Sequence, residues 1–452
     1  YIQSAGIRKR GGERLKVIIR ILSAAVLFLT AVIPVFQSHG AQWLWLLLPC
    51  FFLLNVFPSY VNRRLPERRL RLSADGCVLI LFLISAVLSG LYLLTRIPAL
   101  WPEHAPRWFA GLIWAILAEA VVFWNGIIRV YGTSLQIGFK WRMAGIICGW
   151  IPGANLIVLC KIIRIASEET AFESGKILLN REREQEQLCK TRYPLLMVHG
   201  VFFRDFKYFN YWGRVPKELE RNGAVIFYGN HQSAASVKDS AQELAKRILE
   251  ITGETGCGKV NIIAHSKGGL DSRYAISLLG MEPYVATLTT INTPHRGCLF
   301  ADYLLDKIPA GVKDKAADGY NKALKKLGDP DPDFLAAVGD LRASSCLRFN
   351  EGTLDKPEVY YQSTGSRLNI ASGGRFPLNF SHRLVKYFDG PNDGLVAEDS
   401  FRWGSNYTML TTKEHRGISH GDMIDLNREN IRDFDVREFY VRLVHDLKER
   451  GY

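Results

Sequence analysis

The sequence predicts two parts of different class: an all-α, apolar N-terminal bundle suited to a bilayer, then an α/β domain with a mostly parallel sheet, helices on both faces and a helical cap. Three observations carry this. The first 164 residues hold five apolar runs of about spanning length, where roughly twenty apolar residues cross about 30 Å of hydrocarbon as a helix. The whole net charge of +13 lies there too, since 18 Lys and Arg face 5 acids up to Arg164 and the remainder carries 39 of each. Beyond about residue 190, short apolar runs alternate with stretches of helical period, as in chains of strand–helix–strand units.

The N-terminal runs come in order. Val17–Phe36 follows the basic head Arg8-Lys9-Arg10, Gln42–Tyr60 is rich in Trp, Leu and Phe, and Cys77–Leu94 contains no charge. Trp108–Val130 is apolar except for Glu119, and Met143–Cys160 holds Gly149-Trp150-Ile151-Pro152-Gly153 in its middle. Those residues predict a kinked, re-entrant or interfacial fifth segment, giving four to five spans over residues 1–164. A cleaved signal peptide is disfavoured, because the first run has no small-residue cleavage site before another 120 residues of similar character.

Basic residues between apolar runs mark cytoplasmic loops and anionic lipid surfaces rather than a nucleic-acid footprint, so no nucleic-acid partner is expected. The N-terminus and the loop bearing Arg63, Arg64, Arg68, Arg69 and Arg71 read as cytoplasmic, and the uncharged Gln37–Gly40 as external. Continued alternation over five spans puts the C-terminal domain outside the cytoplasm in a multi-pass protein of the cell membrane. Lys161 and Arg164 pull the other way, and a re-entrant fifth segment would leave that domain inside. Glu119 reads either as a helix-paired carboxylate or as part of a transport path.

From about residue 165 to 190 the composition turns to Glu, Arg, Gln and Lys, which predicts a solvated linker helix. Strands are expected at Tyr193–Val198, Ala224–Tyr228, Val260–Ala264 and Val285–Asn292, with helices over Ser236–Ile251 and Leu270–Leu279, in a domain spanning 191–452. Residues 300–349 are the expected cap, where Tyr320–Leu327 has the pattern of a short amphipathic helix. It reads either as a mobile lid or as a fixed cap. The eight cysteines form no CxxC or Cys/His metal spacing, and Cys50, Cys77, Cys148 and Cys160 fall inside apolar runs as small hydrophobes.

Two motifs lie at strand ends. Ala264-His265-Ser266-Lys267-Gly268-Gly269 follows the third strand, where a serine on a sharp strand-to-helix turn tolerates only small residues two positions either side. About 66 residues earlier, His199-Gly200-Val201-Phe202 follows the first strand. Its glycine lets the Val201 amide turn toward the nucleophile, and the Lys267 amide at the next helix start supplies a second donor for an oxyanion hole. A serine needs a base and an orienting carboxylate. On such a turn the chain order is Ser, acid, His. The best acid is Asp393 in Asn392-Asp393-Gly394-Leu395-Val396, read as a tight turn after a strand, with Asp389 and Asp399 as alternates. His420 in Ser419-His420-Gly421-Asp422 is the best histidine, ahead of His415 and His382.

With these pieces in place, residues 194 to about 450 resemble the bacterial triacylglycerol lipases of the α/β-hydrolase superfamily, including the secreted Pseudomonas type. The resemblance rests on His199-Gly200, Tyr211-Trp212 with Pro216-Lys217-Glu218-Leu219, the stretch from Lys259 to Gly269, Thr293-Pro294-His295-Arg296-Gly297 and Asn392-Asp393-Gly394-Leu395-Val396, in family order. It implies a Ser266, Asp393, His420 triad with the Val201 and Lys267 amides as oxyanion hole. Ala264 departs from the usual glycine. In the Pseudomonas type an Asp two residues beyond the catalytic His helps hold a structural calcium, and Asp422 has that spacing. The family glutamine is Leu426 here, however, and no acid stands near Gly373, so no cofactor is expected. The implied function is a membrane-anchored serine hydrolase of lipid esters. The alternatives are an acyltransferase on the same triad and a membrane scaffold that binds lipid without turnover.

Overall fold

Two sets of apolar residues with separate cores divide the chain at Arg181/Glu182. The computed structural model describes residues 18, 20–37, 40, 42–58, 65–100, 103, 105–149, 151, 153–201, 210–326, 329 and 331–452. The basic head Arg8-Lys9-Arg10, Arg63, Arg64, Trp150, Pro152, Phe202 and Leu327 therefore lie outside the described residues.

The first unit is helical: α1 (Arg20–Ala31), α2 (Ile33–Gln37), α3 (Leu48–Val56), α4 (Arg68–Leu81), α5 (Leu83–Leu100), α6 (Ala105–Thr133), α7 (Gly138–Cys148) and α8 (Ala154–Glu182). Two stretches, Arg68–Ile97 across α4 and α5 and Ala105–Thr133, are long and apolar enough to cross a membrane by length and composition. The first two apolar runs form the shorter helices Arg20–Ala31 and Gln42–Val56. The fifth run is divided between α7 and α8, with Gly153 at φ +83° immediately before α8. The expected solvated linker is instead the C-terminal half of α8, and Glu169, Thr170, Glu173 and Lys176 are buried. Its polar residues mislead because they have partners within the unit. Glu169 accepts from Arg69 Nη1 at 2.8 Å, Ser134 Oγ at 2.5 Å and the amides of Leu135 and Gln136 at 3.1 and 3.2 Å. Glu119 likewise accepts from Ser85 and Ser89 on α5, both at 3.4 Å, which is the helix-paired arrangement.

The second unit holds six strands: β1 (Leu195–Val198), β2 (Ile226–Tyr228), β3 (Val260–His265), β4 (Val285–Ile291), β5 (Tyr360–Ser366) and β6 (Asn406–Leu410). All pairs are parallel, in the order β2-β1-β3-β4-β5-β6. The helices are α9 (Val215–Arg221), α10 (Val237–Thr255), α11 (Lys267–Leu278), α12 (Leu299–Lys307), α13 (Ala310–Lys326), α14 (Phe334–Gly339), α15 (Ala343–Gly352), α16 (Leu378–Asp389) and α17 (Val436–Glu449). Side chains alternate across a strand. Leu196, Val198 and Ile262 accordingly pack with Leu244 and Ile248 of α10, while Leu195, Met197 and Ile263 pack with Leu219 of α9 and Tyr440 and Val444 of α17. A sheet buried on both faces in this way is the α/β-hydrolase arrangement. The cap region is the helical run α12–α15, and the short helix expected at Tyr320 is the end of the 17-residue α13.

Within the helical unit, α4 and α6 cross at glycines. A Cβ on Gly76 would lie 2.8 Å from the Gly126 carbonyl, and one on Gly126 would lie 3.1 Å from the Gly76 carbonyl. Small residues that let backbones approach this closely are how apolar helices associate where the surroundings are equally apolar. Gly126→Leu should therefore lower the unfolding midpoint of the detergent-extracted chain by several degrees, from a loss of about 1–3 kcal/mol. Gly90→Leu, where an added Cβ meets nothing within 4 Å, should leave it unchanged. Equal midpoints for the two variants would contradict the crossing.

Candidate active site

The site begins with a strained residue. Ser266 joins β3 to α11 at φ +55° and ψ −131°, a region that non-glycine residues rarely occupy. Its amide donates to the Ile291 carbonyl at 2.9 Å, and its own carbonyl accepts from Thr293 Oγ1 at 2.8 Å. The turn is tight on every side. A Cβ on Gly268 would come within 2.4 Å of the His199 carbonyl, and one on Gly200 within 2.8 Å of the Ser266 Cβ. The buried Ala264 shows that a methyl group is accommodated two residues before the serine.

Asp393 is fully buried and its carboxylate is saturated. Oδ1 accepts the amides of Leu395 and Val396 at 2.9 and 2.8 Å, and Oδ2 accepts Asn292 Nδ2 at 2.6 Å. His420 Nδ1 lies 2.6 Å from the same Oδ2, and the His420 amide donates to the Asp393 carbonyl at 2.9 Å. The expected strand before Asp393 is instead the helix α16. Phe388 and Asp389 end that helix, so their apolar and turn-forming neighbours mark a helix terminus. The alternates have other tasks or none. Asp389 accepts the amides of Leu299 and Phe300 at the start of α12, His382 Nε2 meets the Leu368 carbonyl at 2.9 Å, and Asp399 and His415 are exposed.

Ser266, His420, Val201, Tyr320, Leu378 and Leu395 line one cavity of about 210 Å³. Among the described residues no hydrogen bond joins the Ser266 hydroxyl to His420; such bonds often tighten only when substrate is bound. Lys267 is the first residue of α11, so its amide is one of the free N–H groups of a helix start. Neither it nor the Val201 amide has an acceptor among the described residues.

The chain is similar along much of its length to a triacylglycerol lipase of Vibrio cholerae serotype O1, with 30% identity over 323 residues, or 66% of this chain and 99% of that protein. The chain belongs to the triacylglycerol lipase family. A triacylglycerol lipase of Pseudarthrobacter phenanthrenivorans is 33% identical over 35% of this chain and 53% of its own length, and one of Pseudomonas fragi is 26% identical over 58% and 98%. Residues 197–309 match the family described as "Putative serine esterase (DUF676)". The lipase is thus a carboxylic ester hydrolase.

Three parts of the lipase site escaped the sequence reading. Asn292, at φ +49° just past β4, bridges Asp393 and Ser366 Oγ; its place at a strand end, beside Thr293-Pro294, was the available signal. The Tyr211 hydroxyl accepts from the Gly200 amide at 3.1 Å and meets His265 Nδ1 at 2.7 Å, tying the turn after β1 to the end of β3. Beneath that turn, His199 stacks on His231 at 4.0 Å, and His231 Nε2 lies 3.6 Å from Asp271. Asp271 in turn pairs with the buried Lys267 ammonium at 2.7 Å, and Ser240 Oγ accepts from the same ammonium at 2.9 Å. Lys267 therefore has a helix-start amide on one side and a buried, paired ammonium on the other.

Residues for a calcium ion are not arranged for one. Asp422 already receives Arg416 Nη1 at 2.7 Å and Nη2 at 3.1 Å, together with the amide and hydroxyl of Ser419, both at 2.8 Å. No other group of three His, Cys, Asp or Glu among the described residues is placed to hold a metal.

The buried imidazoles of this lipase set its acid response. Burial pushes His199 down to about 3, and lowers His265 and His295 well below the usual value of 6.5. Burial also pushes the Asp271 carboxyl up from 3.8 to about 6, against the pull of Lys267. As pH falls below 6.5 the unfolded chain gains protons on three histidines that the native fold refuses, while Asp271 works in the opposite sense between 3.8 and about 6, joined by Asp340 and Asp355, whose carboxyls burial also raises. Stability rises with pH wherever the unfolded state binds more protons. The unfolding midpoint should therefore drop between about pH 7 and about pH 5 and level off above about pH 7. A midpoint that is flat or rising toward acid contradicts this.

Proposed function

We propose that the lipase cleaves a carboxylic ester of a lipid through an acyl-enzyme on Ser266, in a catalytic unit anchored to a bilayer by the helical unit. The observation that carries the chemistry is the 2.6 Å contact between His420 Nδ1 and Asp393. It commits Nδ1 as a donor to the carboxylate, so Nε2 is the nitrogen left to accept a proton beside Ser266. Ser266 Oγ attacks the ester carbonyl carbon as its proton passes to Nε2. The carbonyl oxygen gains the charge and receives the Val201 and Lys267 amides, which lie in a site shielded from bulk water. Collapse breaks the bond to the alcohol, which takes the proton from Nε2. Water then repeats the sequence, its proton going to Nε2 and its oxygen to the acyl carbon, so that the fatty acid leaves and the serine is restored.

Supporting a lipid substrate are the apolar lining of the cavity and the relatives' description as triacylglycerol lipases. Anchoring is supported by the apolar stretches Arg68–Ile97 and Ala105–Thr133, and by outward-facing side chains such as Ile84, Phe139 and Ile157, which are 67, 80 and 73% exposed. Exposed apolar surface on this scale needs a non-aqueous cover. The alternation of loop charge supports an extracytoplasmic catalytic unit, and tethering would raise its local concentration beside substrates that partition into lipid.

Ser266→Ala should lower hydrolysis of p-nitrophenyl esters by about 10⁴-fold or more while the unfolding midpoint stays put. It should also abolish labelling by a fluorophosphonate, and turnover close to that of the parent protein would refute the nucleophile. Independently, the full chain should stay in the membrane pellet after an alkaline carbonate wash. Release into the supernatant would remove the anchor.

A further inference from the structure

The loop that presents His420 is held from behind by a charge. Asp422 is almost wholly buried, its side chain 3% exposed, and a buried carboxylate is tolerated only when paired and hydrogen-bonded. Its Oδ2 holds the loop closed by accepting both the amide and the hydroxyl of Ser419, the residue before the histidine. The positive charge the carboxylate needs is the Arg416 guanidinium, which straddles both oxygens. The same guanidinium reaches further. Nη1 donates to the Gly417 carbonyl at 3.2 Å and Nη2 to Glu429 Oε2 at 3.0 Å. Glu429 pairs through its other oxygen with Arg375, which lines the substrate cavity. Arg416 is itself anchored in the main chain, its carbonyl accepting the Asn369 amide at 3.2 Å and pressing against Gly373, where an added Cβ would come within 2.6 Å.

Two carboxylates and a carbonyl are oxygen donors of the kind a hard divalent ion takes, but they are gathered here around a guanidinium. Here the charge is covalently part of the chain. A guanidinium is planar, remains charged and offers donors in a fixed fork, so it sets the directions of Asp422 and Glu429 as well as neutralising them. We propose that Arg416 is a positioning residue that acts as a built-in cation, fixing the His420 loop and coupling it through Glu429 to Arg375 at the cavity wall, so that the active site requires no divalent ion. This rests on the Ser266–His420–Asp393 reading above. It concerns the distance and angle at which His420 meets the nucleophile, and displacements of about 1 Å at such a point cost on the order of a hundredfold in rate.

The test uses the full chain in detergent with p-nitrophenyl butyrate. Dialysis against EDTA should leave kcat and the unfolding midpoint of the parent protein unchanged; activity lost to EDTA and restored by calcium would overturn the proposal. Arg416→Gln should lower kcat roughly a hundredfold with little change in KM, and Arg416→Lys should recover part of the loss. Arg416→Gln with parental kcat would overturn it, as would an equal defect in the lysine variant. Fluorophosphonate labelling keeps the two readings apart: Arg416→Gln should still label, slowly, whereas a wrong nucleophile would show as labelling that survives Ser266→Ala. Should Arg416→Gln fail to fold, Glu429→Gln removes only the outer carboxylate. It should lower kcat several-fold and slow labelling in proportion, and an unchanged kcat there would refute the coupling.

Discussion

A carboxylate removed from water with no room for error is the constraint on which the catalytic unit depends. Asp393 has four donors directed at two oxygens: two amides of its own turn, the Asn292 amide group and the His420 imidazole. An ionised group at this depth is costly unless every lone pair is used. Each donor also fixes something else. The amides close the turn at residues 393–396, Asn292 locks the end of β4 beside β5, and the imidazole takes one tautomer and one orientation. The orientation of the His420 imidazole therefore follows from satisfying the buried carboxylate.

The rest of the site obeys the same logic of close approach. Ser266 occupies a strained backbone region because β3, the start of α11 and the turn after β1 meet where only small residues fit. Strain of this kind persists only when the surroundings determine it many times over. Here they include the Ile291 carbonyl, the Thr293 hydroxyl and the ion pair of Lys267 with Asp271. Packing energy from the two faces of the sheet thus holds Ser266 half-buried at the cavity wall.

Much of this was legible in the sequence, for physical reasons. Strands β1, β3 and β4 are buried on both faces and read as short apolar runs, and the small residues around Ser266 are demanded by the turn itself. β5 and β6 were not legible. Tyr360–Ser366 and Asn406–Leu410 carry polar residues that the fold satisfies internally, as with Gln362 Nε2 on Thr289 Oγ1 at 2.9 Å and Ser363 Oγ on the Trp403 carbonyl at 2.7 Å. The same blind spot hid the second half of α8, where charge composition suggested solvent and Glu169 is buried among four donors. Polar side chains paired across long sequence separations leave no local pattern. Asn292 and Tyr211 belong to this class, as does Arg416 beneath the histidine loop.

All eight cysteines are unpaired thiols. Burial pushes those of Cys189 and Cys346 up to about 12, so at neutral pH they stay protonated and are poor nucleophiles toward oxidants or other sulfurs. The architecture owes nothing to covalent cross-linking. A reducing compartment therefore removes no bond on which the fold depends.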